Sequence, residues 1–107
     1  MAIIQMTWQN PPEQGRARAA DERASKWREV VLSQKGLVEY NAFTGRSSGK
    51  DMAIDGFRSS EEASAFLGSN DFAMIVSEMK SLGITNIEVD LWDQHPDVPE
   101  ALRPSGR

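Results

Sequence analysis

Apolar and polar residues alternate with a period of two through residues 84–92, where Ile87, Val89 and Leu91 interleave with Glu88, Asp90 and Trp92. This pattern predicts a strand with one apolar face and one mostly polar face. A strand of that length is not stable by itself, so the chain must supply sheet partners and a covering layer. Residues 3–8 mix β-branched and aromatic side chains with Gln5 and Thr7 and predict a first strand, ended by Asn10-Pro11-Pro12 because proline cannot donate to a ladder. Residues 37–44 and 51–57 predict two more strands, joined by the turn-rich stretch 45–50 as an antiparallel hairpin.

Two regions switch to helical spacing. Ala17, Ala20, Ala24, Trp27 and Val31 recur every three or four residues and predict a helix over 12–34 with one apolar stripe. The stripe is small residues around one large one, so the helix is expected to lie close to a sheet with Trp27 as its anchor, closed by Lys35-Gly36. Ser59 with Glu62 reads as a capping box opening a second helix, whose face is Ala63, Phe66 and Leu67. Gly68-Ser69-Asn70 interrupts it, Asn70 or Asp71 is expected to cap its resumption, and Phe72, Ile75, Val76, Met79 and Leu82 carry the stripe to Gly83.

Strand-helix-strand thus occurs twice. The order βαββαβ is the split βαβ arrangement of ferredoxin-like α+β folds, and right-handed crossovers give one four-stranded antiparallel sheet with both helices on one face. Residues 1–93 are expected to form this domain, and 94–107, with Pro96, Pro99 and Pro104, an irregular tail over the surface or a neighbouring subunit. Apolar groups occupy both phases of the strands: Ile4, Met6 and Trp8 oppose Ile3, Val38 and Tyr40 oppose Leu37 and Phe43, Met52 and Ile54 oppose Phe57, and Ile87, Val89 and Leu91 oppose Trp92. Such a doubled pattern predicts that the helix-free face is covered by a second copy of the chain, making a homodimer.

Composition narrows the partners. With 107 residues, 39% hydrophobic and 26% charged, the chain fits one lean globular domain. A net charge of −4 argues against nucleic acid as the main ligand. The absence of cysteine removes disulfides, thiolate metal sites and cysteine nucleophiles. No signal-peptide pattern and no run of apolar residues long enough to span a membrane is present, so a cytoplasmic location is expected.

The element order, together with G-L-V-E-Y at 36–40, F-R-S-S-E-E-A-S-A-F at 57–66, S-N-D-F at 69–72 and G-I-T-N-I-E-V-D-L-W at 83–92, resembles the antibiotic-biosynthesis-monooxygenase-like group of dimeric α+β barrel proteins. The resemblance covers roughly residues 2–92. It implies a homodimer whose two sheets close into a barrel and, in many members, a pocket between helices and sheet. That group includes cofactor-independent oxygenases acting on polycyclic aromatics and haem-degrading enzymes with a histidine ligand in the second helix. Here Phe66 lies near the position of those enzymes' tryptophan, and the stretch where the histidine would fall reads Ala73-Met74-Ile75-Val76-Ser77, so haem degradation is rejected and no cofactor is expected.

No catalytic residue can be assigned from the sequence. Trp8, Asn10, Trp27, Tyr40, Phe66 and Phe72 are the candidate pocket residues; Tyr40 and the tryptophans carry polar handles, and Asn10 either bonds a substrate oxygen or caps the turn before Pro11. His95, the sole histidine, stands near Asp90, Asp93 and Asp97, but one histidine with carboxylates in a Pro-containing tail is read as a solvated tail and not as a metal site; over a pocket it could accept a proton. G-R-S-S-G-K at 45–50 lacks the phosphate-loop spacing and joins two strands, so it is read as a hairpin loop. Two functions stay open: a cofactor-free oxygenase or isomerase-like enzyme on a small aromatic or polyketide-like molecule, and a non-catalytic binding or structural dimer.

Overall fold

The computed structural model describes residues 1–96. Its elements are β1 (Ala2–Gln9), α1 (Gln14–Leu32), β2 (Leu37–Thr44), β3 (Asp51–Phe57), α2 (Ser60–Leu67), α3 (Asn70–Ser81) and β4 (Thr85–Asp93). The strands form one antiparallel sheet in the order β2-β3-β1-β4, the ferredoxin-like arrangement. The part of the tail beyond residue 96 lies outside the described residues.

The second helical region is two helices, so three helices rather than two cover the sheet. Ser59 caps α2, its Oγ accepting from the Glu62 amide, while Glu62 turns its carboxylate to the Ser59 hydroxyl and to Arg58. Ser69, not Asn70 or Asp71, caps α3 by accepting from the Phe72 amide. The cap falls there because Gly68 ends α2 and Ser69 is the first extended residue after it, which leaves Asp71 in the first turn where the helix dipole favours a carboxylate. Ser59→Ala should cost about 1 kcal/mol of stability, read from the shift in urea midpoint, because one amide of the first turn of α2 loses its acceptor. Helix α1 is shorter than the spacing predicts: its last carbonyls are taken by the amides of Ser33 and Gln34, and Gly36, at φ +86°, turns the chain into β2.

The register decides which side chains meet the helices. On β1, Ala2, Ile4 and Met6 pair with Phe57, Asp55 and Ala53 of β3, and Ile4 pairs with Leu91 of β4, so all of these project to one side. Ile4, Phe57 and Met79 are fully enclosed, with Ala63, Phe66, Ile75 and Ile84 around them. Phe66 is central: its ring lies 6.0 Å from Phe57 and 5.4 Å, edge to face, from Phe72. A register shift between Leu37 and Glu39 corrects the expected phase of β2. Leu37 pairs with Phe57 and Tyr40 with Asp55, so both face the helices, and the extra residue in between is Val38.

The helix-free side is mixed rather than continuously apolar. Ile3, Met52 and Ile54 are half-buried there, and Phe43 and Trp92 are 50% and 53% exposed. Gln5, Thr7, Glu39, Asn41, Glu88 and Asp90 alternate among them.

Helix α1 does not close onto the middle of the sheet. It packs against α3 and β2, whereas α2 packs on β1, β3 and β4. The alanines of its inner stripe are too short to fill the space beneath them, so the close approach expected of a small-residue stripe does not occur and a cavity takes its place.

Candidate functional site

The cavity has a volume of about 290 Å³ and lies between α1, the α2–α3 pair and the helix-covered face of β1–β3. Ala20, Ala24 and Val31 form its α1 wall, Met6 and Ala53 its sheet wall, and Ile75, Met79 and Ile84 its far end. All six residues singled out in the sequence line it: Trp8 and Asn10 from the end of β1, Trp27 from α1, Tyr40 from β2, Phe66 from α2 and Phe72 from α3. They come from five elements, and the crossovers of the fold bring them together.

Protein partners already occupy two of the polar handles. The Trp27 indole N–H donates to Glu78 Oε1 at 2.8 Å, and Arg23 donates to the same carboxylate at 3.0 and 2.6 Å. The Arg23 guanidinium holds the Glu78 carboxyl below its usual range, and the Trp27 hydrogen bond adds to the effect. The indole orientation is therefore set from α3, leaving the ring as apolar wall. Asn10 neither caps the turn before Pro11 nor stands unengaged. Its Nδ2 donates to Asp51 Oδ2 at 2.6 Å, and Thr44 Oγ1 donates to Asp51 Oδ1 at 2.7 Å, which ties the end of β1 to the β2–β3 hairpin at one edge of the cavity. The loop at 45–50 is that hairpin's turn: the Gly45 amide donates to the Lys50 carbonyl and the Gly49 amide to the Gly45 carbonyl.

Sequence reading missed the charged lining, namely Asp21 and Arg28 of α1 and Asp51 and Asp55 of β3. Asp55 is the most informative of them. It is 5% exposed, and its Oδ1 has no hydrogen-bond partner among the described residues. Burial pushes its carboxyl from 3.8 up to about 6. The signal was present in the strand, because Asp55 shares the phase of Phe57, the large apolar group that must face the helices.

In α3, residues 73–77, where the resemblance would put a histidine, are Ala, Met, Ile, Val and Ser. Among the described residues, no group of three His, Asp or Glu is arranged to hold a metal ion. No helix there is long and apolar enough to cross a membrane.

No family model matches the chain, and no curated protein does. Solved structures do. The crystal structure of SnoaB, a cofactor-independent oxygenase from Streptomyces nogalater, is similar with a TM-score of 0.69 at 11% identity, over 92% of this chain and 97% of SnoaB. The chain has the fold of antibiotic biosynthesis monooxygenases. A structure described by that activity is similar with a TM-score of 0.64 at 17% identity, over 90% of this chain and 100% of its own. A conserved protein from Methanosarcina mazei gives 0.67 at 12% identity, over 89% and 95%. At such identities the likeness to the monooxygenase structures establishes architecture, and activity follows only from what the cavity contains.

Proposed function

We propose that the protein is a cofactor-independent, monooxygenase-like enzyme that takes a small aromatic or polyketide-like molecule into the cavity beneath α1. The observation that carries this reading is the cavity itself. Its volume falls near the lower end of small-ligand pockets, its aromatic walls suit a flat ring system, and its polar groups include Asn10, Arg28, Tyr40, Thr44 and the carboxylates. The shared fold with SnoaB supports oxygenation as the reaction class. Dioxygen would be the oxidant and would meet an electron-rich ring held between Trp27, Phe66 and Phe72.

The same reading makes the protein a homodimer through the helix-free face of the sheet. Phe43 and Trp92 supply the exposed apolar groups for that contact, and Glu39 on the same face has a buried Oε2 with no partner among the described residues. Burying that face against a second copy would remove the aromatic surface from water.

A panel of anthrones and quinols, incubated with the protein in air, tests the enzyme reading. Oxygen uptake and quinone absorbance above the buffer rate are expected for at least one compound, and Trp27→Ala should reduce both. Binding without turnover across the panel would favour a non-catalytic ligand carrier. Neither binding nor turnover would remove the cavity as a ligand site.

A further inference from the structure

Asp55 occupies the middle of β3, the strand that runs between β1 and β2. Across the strands it faces Ile4 and Tyr40, and along its own strand Ala53 and Phe57 share its side. No cation stands among these neighbours. Among the described residues, Arg28 is the one basic residue in the cavity lining, and it is solvent-exposed on α1. The remaining carboxylate, Asp51, is held by Asn10 and Thr44, whereas Asp55 Oδ1 has no hydrogen-bond partner among the described residues. A buried acceptor that the fold leaves unpaired is costly to keep, and a ligand donor removes that cost.

From this geometry we propose that Asp55 is the acceptor for one hydroxyl of a neutral aromatic ligand, a phenol or quinol, and takes that hydroxyl's proton during reaction. The assignment rests on the reading of the cavity as an aromatic-ligand site. In the step, the ligand O–H bond breaks, the proton goes to the Asp55 carboxylate, and the electron pair stays on the ligand oxygen as a phenolate. Chemistry selects the hydroxyl over its rivals. An anion would meet a carboxylate with no cation at its side. An ammonium brings three N–H donors, and of the side chains facing Asp55 only the Tyr40 hydroxyl could accept a second one, whereas a hydroxyl brings one donor. Tyr40, opposite Asp55, can hydrogen-bond the same ligand oxygen. The raised basicity of the Asp55 carboxylate works in the same direction.

Three probes of nearly equal shape separate the possibilities: 1-naphthol, 1-methoxynaphthalene and 1-naphthylmethylamine, titrated calorimetrically into the full chain at pH 7.5. A hydrogen bond to a charged acceptor predicts that 1-naphthol binds roughly 10- to 100-fold more tightly than its methyl ether. Asp55→Leu should bring the two within about twofold, since the acceptor is gone. Asp55→Asn, which keeps one carbonyl acceptor without charge, should lower the preference by about threefold or more and provides the reading if the leucine variant does not fold. Equal binding of naphthol and ether by the wild type overturns the proposal while leaving the cavity reading intact, as does a preference that survives both substitutions. Tighter binding of the amine overturns it in favour of a cation site. Failure of all three to bind sinks the cavity reading and this proposal together.

Discussion

Asp55→Asn should stabilise the folded chain by about 2–3 kcal/mol at pH 7.5 and leave it nearly unchanged near pH 4. The sign follows from where the proton is held more tightly. Burial raises the Asp55 pKa from 3.8 to about 6 in the folded state. Below the lower value both folded and unfolded chains carry the proton, and the group costs nothing. Between the two values the unfolded chain loses its proton first, so stability falls as pH rises. Above the upper value both states are ionised and the full desolvation cost remains. The other titratable groups in the cavity lining are Asp21, Arg28, Asp51 and Tyr40, and burial alone is the cause of the Asp55 shift. Urea unfolding of wild type and variant at a series of pH values measures the difference directly. A variant no more stable than the wild type at pH 7.5 would show that the carboxylate is solvated or paired in solution. A side chain whose removal stabilises the fold but sits in an aromatic-walled cavity has the energetic profile of a site residue rather than a structural one.

Trp92→Glu together with Phe43→Glu should weaken self-association by on the order of 100-fold or more, because two large aromatic contacts are replaced by charges that an interface would have to desolvate. Both residues are about half exposed in the single chain, so the monomer should keep its helical and sheet circular dichroism. Sedimentation velocity at micromolar concentration should show the wild type as a dimer and the variant as a monomer. A monomeric wild type would remove the closed barrel. A dimeric double variant would move the contact to another face.

The two periodicities were readable in the chain because they follow directly from backbone geometry. The period-two runs marked all four strands within a residue or two, and the three-and-four spacing marked both helical regions. The Ser59 cap was equally legible, since it depends on residues three apart. Features that depend on distant partners were not. The β2 register shift that turns Leu37 and Tyr40 to the same side is set by pairing with β3, and Ser69 rather than its neighbours became a cap through the way α2 ends. The aromatic set was chosen for residue type. That its members line one cavity depends on crossovers between five elements.

Local order alone therefore determined the element sequence and the ferredoxin-like class, because each rests on residues within a few positions of one another. Tertiary structure decided that α1 stands off the sheet, that Asn10 is held by Asp51, and that Asp55 is enclosed with its Oδ1 unpartnered among the described residues. Burial and hydrogen bonding are properties of what surrounds a side chain, and in this fold those surroundings come from parts of the chain tens of residues away.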